Sequence, residues 1–302
     1  MNGKTPHIVQ YQGSKRLLAP QILHYMPQKF NRLIEPFSGM AAISIATAKE
    51  NRASQYYIND INEPLVLILE EAVNSPNELV AKYAKLWNEQ FGFGESHVEH
   101  FYHIRNLFND GEKTSENMLY LLARCVKGSV RYCKSGNFNQ SPDKRRNGTT
   151  PKNMLDNVFS VSRLLKGRAF FSAFGYDELI KIAQKGDLIY MDPPYQGTTN
   201  ARNNRYLLGL DYNEFVDSIA YLDEMKIDYI VSYDGMCGDK EYGISLPKHL
   251  NCNKFILNAG LSTQATLLGR RSTTFESLYV SKSISQVIEK IPKQISLMER
   301  VV

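Results

Sequence analysis

The stretch LIYMDPPYQG, Leu188 to Gly197, constrains the fold most. Four apolar or aromatic residues in succession read as a buried strand. Asp192 ends that run, and Pro193 and Pro194 forbid its continuation, because neither has a backbone N–H and both have a fixed φ. In open α/β sheets, ligands bind just outside the carboxyl ends of the strands. Asp192 supplies a carboxylate acceptor there, the Pro193 carbonyl a second acceptor, and Tyr195 a flat face for stacking. Two acceptors beside one aromatic face suit a planar, aromatic, amine-bearing substrate. The alternative is a proline-rich strand exit with an incidental acid.

The rest of the chain supplies a sheet for this strand. RLIEP reads as a short buried strand, FSGMAAISIATAKE as a loop opening a helix, and QYYIND as a second strand. Strand, helix and strand with short links predict a parallel sheet. The pattern resumes after residue 167 with AFFSA, YDELIKIAQKG and DLIYMD, then YNEFVDSIAYLDEMK, IDYIVSYDG and a terminal strand pair, KFILNA and ESLYVSK. Between the two regions lies an insertion of about one hundred residues. It is helical by periodicity, apart from the turn-rich RYCKSGNFNQSPDKRRNGTTPKN. The expected division is therefore 1–62 with 167–302 as one discontinuous domain, and 63–166 as an inserted one. TTNARNNRY, Thr198 to Tyr206, is expected to be a mobile polar loop directly after the opening motif, or else a plain surface loop.

With 302 residues, 43% of them hydrophobic, the chain can bury a substantial core. Its four cysteines have no CxxC spacing and no accompanying histidine pattern, so neither a metal site nor a disulfide framework is expected. MNGKTPHIVQYQGSKR holds no apolar run long enough for a secretory signal. Together these predict a cytoplasmic protein. The net charge of +5 is unevenly placed. From Glu63 to Ala123 ten acids face four bases, whereas from Arg124 to Arg168 eleven bases face two acids. Local positive charge of this kind is the footprint of a nucleic-acid partner.

A second motif lies in EPFSGMAAIS. Gly39 permits a tight turn and close approach of the backbone to a ligand, and the helix that follows presents unpaired N–H groups. Asp60 ends the next strand, 21 residues after Gly39, where an acid of a doubly wound fold accepts hydrogen bonds from ribose hydroxyls. An ordinary strand–helix turn and a solvated aspartate remain the alternative.

Taken in order, YQGSK (Tyr11 to Lys15), EPFSG (Glu35 to Gly39), the insertion and DPPY (Asp192 to Tyr195) resemble the Dam-like, alpha-group DNA adenine-N6 methyltransferases. RYCKSGNFN, Arg131 to Asn139, is similar to the hairpin of that family's recognition insert, with Cys133 where the family usually has asparagine. The resemblance covers roughly residues 8–281. It implies a Rossmann-like class I methyltransferase sheet, mostly parallel with one antiparallel strand, carrying an inserted helical target-recognition domain. It also implies S-adenosylmethionine as methyl donor and double-stranded DNA as substrate.

The resemblance further implies roles for individual residues. Asp192, Pro193 and Tyr195 would hold a flipped adenine. The donor would be bound by Tyr11, Gln12, Gly13, Lys15, Pro36, Phe37, Ser38, Gly39, Asp60, Ile61, Phe174 and Asp192. Within that set Tyr11 would pack beside the donor's adenine, Lys15 would meet its carboxylate, and Asp60 would hold its ribose. Phe37 to Gly39 would line the methionine moiety. Lys15 as a solvated lysine and Phe174 as a core residue stay open. DNA contacts would come from Arg131, Tyr132, Asn137, Asn139, Lys144, Arg145, Arg146, Asn200 and Arg202, with a solvated basic face the alternative for Lys144 to Arg146. No metal is implied. A stand-alone enzyme of this size fits the modification half of a restriction–modification pair, and a monomer is expected. Cytosine-N4 methylation and a catalytically weak DNA-binding relative are the competing readings. Asp192 disfavours the first, because that family commonly has serine there, and the intact motifs disfavour the second.

Overall fold

The computed structural model describes residues 4–94, 96–194, 210–237, 240–261 and 273–289. The chain opens with a 3-10 turn, Lys15–Leu17, and a short helix α1, Ala19–His24. Then come β1 (Phe30–Glu35), α2 (Ala42–Lys49) and β2 (Ala53–Asn59). Five helices follow: α3 (Glu63–Asn74), α4 (Pro76–Glu89), α5 (His97–Asn109), α6 (Ser115–Arg124) and α7 (Pro151–Leu165). The α/β alternation resumes with β3 (Ala169–Ser172), α8 (Tyr176–Lys181), β4 (Leu188–Met191), α9 (Tyr212–Met225) and β5 (Asp228–Cys237). It ends with β6 (Lys240–Tyr242), β7 (Cys252–Leu261), β8 (Thr273–Ser281) and α10 (Lys282–Glu289).

The sheet runs β3-β2-β1-β4-β5-β8-β7, with the short β6 paired to β5 off this path. The pairs from β3 to β5 are parallel. β8 runs against both β5 and β7, so one strand of the seven is reversed, as the family resemblance implies. β6 adds a second reversed segment, which the sequence reading did not include.

Helices on both faces explain the unbroken apolar run of β4. Leu188 and Tyr190 join a core on one face, with α1 to α7. Ile189 and Met191 join the other, beneath α8 and α9. All four are fully buried, which is why the strand shows no polar alternation. α2 is buried almost all round, and its buried polar residues, Ser44 and Thr47, are satisfied internally. Thr47 Oγ1 donates to the Ile43 and Ser44 carbonyls, and Ser44 Oγ donates to Glu35. The helix starts are specified locally. Thr150 accepts from the Asn153 amide ahead of α7, with Pro151 in the first turn, and Asp211 accepts from the Asn213 and Glu214 amides ahead of α9.

The insertion is helical, but its core is not separate. Phe101, Phe108 and Leu121 belong to the same buried cluster as Leu33 and Ile43.

Candidate active site

β1 and β4 are neighbours, with Leu33 opposite Leu188 and Ile34 opposite Ile189. From β1 the chain continues to β2 on one side, whereas β4 is followed by β5 on the other. This reversal of direction is the switch point at which an open α/β sheet leaves a crevice beyond its strand ends. The loop after β1, Pro36 to Met40, faces it, as do Asp192 and Pro194 of the corner after β4, whereas Pro193 between them is not among the lining residues. A cavity of about 310 Å³ occupies the crevice, and all twelve residues assigned above to the methyl donor line it.

Two hydrogen-bond hubs shape the loop. Gly39 has φ +50, and a Cβ there would come 2.8 Å from Tyr11 Cε1. Only glycine allows both that conformation and the close aromatic ring. Its amide donates to Asp60 Oδ2 at 2.8 Å, while Asp60 Oδ1 accepts from the Asn62 amide at 2.9 Å. Asp60 is therefore tied into the loop and is not simply solvated. The second hub is Asn59, which is fully buried. Its amide group donates to the Pro36 and Phe174 carbonyls, and its oxygen accepts from Ser172 Oγ and the Phe174 amide. All four of its hydrogen-bonding positions are used. This hub holds Phe174 at the cavity wall, and the residue is 62% exposed, which removes the alternative of a core residue. Phe37 stacks on Tyr176 at 5.1 Å, bracing the wall from the other side.

Lys15 is buried, not solvated. Its Nζ lies 3.0 Å from Asp192 Oδ1 and 3.1 Å from Glu276 Oε2. A buried ammonium requires compensating charge, and two protein carboxylates provide it. As the structure stands, then, Lys15 is engaged with Asp192 and Glu276 at the cavity edge. Burial pushes the Asp192 carboxyl up to about 6; Lys15 opposes that rise and Glu276 adds to it. Glu35, at the end of β1, is raised to about 8 by burial, against hydrogen bonds from the Ser44 amide and hydroxyl. Asp60 is raised by burial too, against the amides of Asn62 and Gly39.

Several lining residues were not assigned from sequence. Among the described lining residues, Glu35, Asp177, Asp211 and Glu214 join Asp60 and Asp192 to give six acids and one base, Lys15. Even with Glu35 held toward its neutral form, the acids outnumber the base, and a cavity of this sign and size fits a ligand of moderate size that carries positive charge on an otherwise apolar body. Glu35 stands inside the quoted EPFSG motif, so its position carried the signal. Asn59 and Glu276 have no comparable local signature.

The segment from Arg131 to Asn139 forms a hairpin, with Tyr132 bridged to Phe138 and the Cys133 amide donating to the Asn137 carbonyl. One DNA assignment needs correction. Tyr132 is 4% exposed, and its hydroxyl donates to Asn62 Oδ1 at 3.0 Å. Its ring packs against Phe138 in the core, so it anchors the hairpin to the start of α3 and does not face a groove. Arg131 donates from Nε to Asn139 Oδ1 at 2.7 Å, closing the hairpin base, and Asn137 is exposed at its tip. Lys144, Arg145 and Arg146 are exposed in a loop whose Asp143 lies 3.1 Å from Arg145 Nε and 3.7 Å from Arg146 Nε. Tyr195, Asn200 and Arg202, with the loop from Thr198 to Tyr206, lie outside the described residues.

Comparison with known proteins gives this geometry a context. Residues 11–291 match the profile of a family described as D12 class N6 adenine-specific DNA methyltransferase. The chain is 28% identical over 196 residues to a retron Ec67 DNA adenine methylase of Escherichia coli, covering 63% of this chain and 64% of that protein. It thus spans slightly less than two thirds of that relative's length. It is 29% identical over 236 residues to the type II methyltransferase M1.LlaDCHI of Lactococcus lactis subsp. cremoris, covering 74% of this chain and 79% of that one. A DNA adenine methylase of Vibrio cholerae is 27% identical over 198 residues, covering 65% and 67% respectively.

Proposed function

The chain belongs to the D12 class N6 adenine-specific DNA methyltransferase family, and on that premise we propose that it transfers a methyl group from S-adenosylmethionine to N6 of an adenine flipped out of duplex DNA. The observation that carries this reading is that Asp192 belongs at once to the proline corner and to the acidic cavity. An acceptor for the target amine thus sits beside the proposed donor site.

Bound there, S-adenosylmethionine would supply an electrophilic methyl group. The chain's own residues would do the rest. Phe174 and Tyr11 offer apolar faces to the donor's purine, Asp60 an acceptor for its ribose, and the acidic lining a field that favours its cationic centre. N6 of adenine is a poor nucleophile, because its lone pair is conjugated with the ring. Hydrogen bonds from N6–H to Asp192 and to the Pro193 carbonyl would draw that nitrogen toward tetrahedral geometry and aim its lone pair at the cavity. Positive charge developing on N6 would be stabilised by the Asp192 carboxylate; as the N–CH3 bond forms, the S–CH3 bond would break to leave S-adenosylhomocysteine, and N6 would then lose one proton to solvent. The acceleration would come from placement and electrostatics. A stacked, paired adenine cannot reach this corner, so the base must leave the duplex, at a cost of a few kcal/mol. The exposed Lys144, Arg145 and Arg146 would hold phosphates. The "type II methyltransferase" names of relatives support a role as the modification partner of a restriction endonuclease, and we include that role in the proposal.

Purified protein incubated with isotopically labelled S-adenosylmethionine and unmethylated duplex DNA, followed by nucleoside digestion and mass detection, tests the reading. N6-methyldeoxyadenosine is the expected product. N4-methyldeoxycytidine, or no labelled nucleoside, would overturn it.

A further inference from the structure

We infer that Glu276 is a positioning residue for the reaction: from β8 it shares the Lys15 ammonium with Asp192 and keeps the trio net anionic where the target amine must gain positive charge. This rests on the reading of Asp192 as acceptor for that amine. Glu276 pairs in register with Gly235 of β5 on one side and with Leu257 of β7 on the other. That register, together with the β5–β4 pairing, brings its carboxylate to 3.1 Å from Lys15 Nζ, on the same ammonium that meets Asp192 Oδ1 at 3.0 Å. The Glu276 and Asp192 side chains are 18% and 21% exposed, and that of Lys15 only 9%. Water therefore screens the trio weakly.

One ammonium between two carboxylates neutralises one of them and leaves one net negative charge. With Lys15 and Asp192 alone, the pair would be neutral and would offer the developing ammonium-like nitrogen no net attraction. Among the described residues, the titratable groups that act on Asp192 come from four elements. They are Lys15 from the first turn, Glu276 from β8, Glu35 from β1 and Tyr190 from β4. Burial holds Glu35 and Tyr190 toward their neutral forms near pH 7. Glu276 is thus the second anion that Asp192 meets, and it raises the Asp192 carboxyl while Lys15 lowers it.

Glu276→Gln keeps the shape and removes the charge. The Asp192 carboxyl can be titrated in the ligand-free protein by 13C NMR of labelled aspartate, with Asp192→Asn identifying the signal. In E276Q its midpoint is expected at least about half a pH unit below wild type, given an opposing charge within hydrogen-bond range. Glu276→Asp, which keeps the charge, is expected to hold the midpoint nearer to wild type. In methyl transfer, E276Q should lower kcat about tenfold with little change in KM for DNA, as for an interaction made in the transition state. Coincident midpoints for wild type and E276Q would overturn the inference. So would an equal displacement in E276D. The titration needs no turnover, so it judges Glu276 separately from the product analysis that judges the proposed reaction.

Discussion

Lys15 Nζ lies 3.0 Å from Asp192 Oδ1, so the lysine of the first motif touches the acid of the last. The pairing holds down the acid's titration, which burial would otherwise raise further. Lys15→Met removes the ammonium and leaves Asp192 and Glu276 as neighbouring carboxylates with no shared cation. The acid limb of the rate is then expected to move up by about one pH unit or more, opposite in direction to E276Q. A pH–rate profile checks this, and a limb that stays in place would refute the coupling.

Phe174 and Asp60 separate binding from stability. Phe174 is largely exposed on the cavity wall, so Phe174→Ala is expected to leave the melting temperature nearly unchanged. Loss of a stacking face should weaken S-adenosylmethionine binding about five- to hundredfold. Asp60→Ala also strands the Gly39 amide, so it should cost donor affinity and about 1–3 kcal/mol of stability together. Calorimetric binding and thermal melting of both variants provide the check. Unaltered donor affinity in Phe174→Ala would remove that residue from the site.

Glu35 makes stability depend on pH. Its folded carboxyl titrates near 8, well above its ordinary value of 4.5. Between those two values the folded state binds more protons than the unfolded one, so stability falls as pH rises. Glu35→Gln removes this contribution. Its melting temperature is expected to decline less than wild type between about pH 5 and 8. Parallel declines in the two proteins would contradict the burial argument.

Neutralising Lys144, Arg145 and Arg146 together is expected to flatten the salt dependence of DNA binding, by about two to three in the logarithmic slope. These side chains are exposed, so folding should survive. An unchanged slope would place the DNA elsewhere.

Much of the site was legible because its parts stand at strand ends, where the sequence must change character abruptly. Asp192 with two prolines after an unbroken apolar strand, and Gly39 with Asp60 at the ends of consecutive strands, are local signals. The strand–helix alternation fixed the parallel part of the sheet for the same reason. What stayed hidden depends on register between distant segments. Glu276 reaches Lys15 only because β8 lies reversed beside β5. Asn59 looks like any polar strand end until β1, β2 and β3 bring Pro36, Ser172 and Phe174 around it. Tyr132 sits in a polar, turn-rich segment, yet it finds Asn62 and Phe138 in the interior. A hairpin motif cannot report which of its side chains faces inward.

The most direct test is single-turnover methyl transfer by Asp192→Ala, with S-adenosylmethionine affinity measured on the same preparation. The carboxylate that polarises the target amine is gone, so transfer is expected to fall at least about a thousandfold while the donor still binds and the fold persists. Transfer to adenine at a near wild-type rate would contradict the assignment of Asp192.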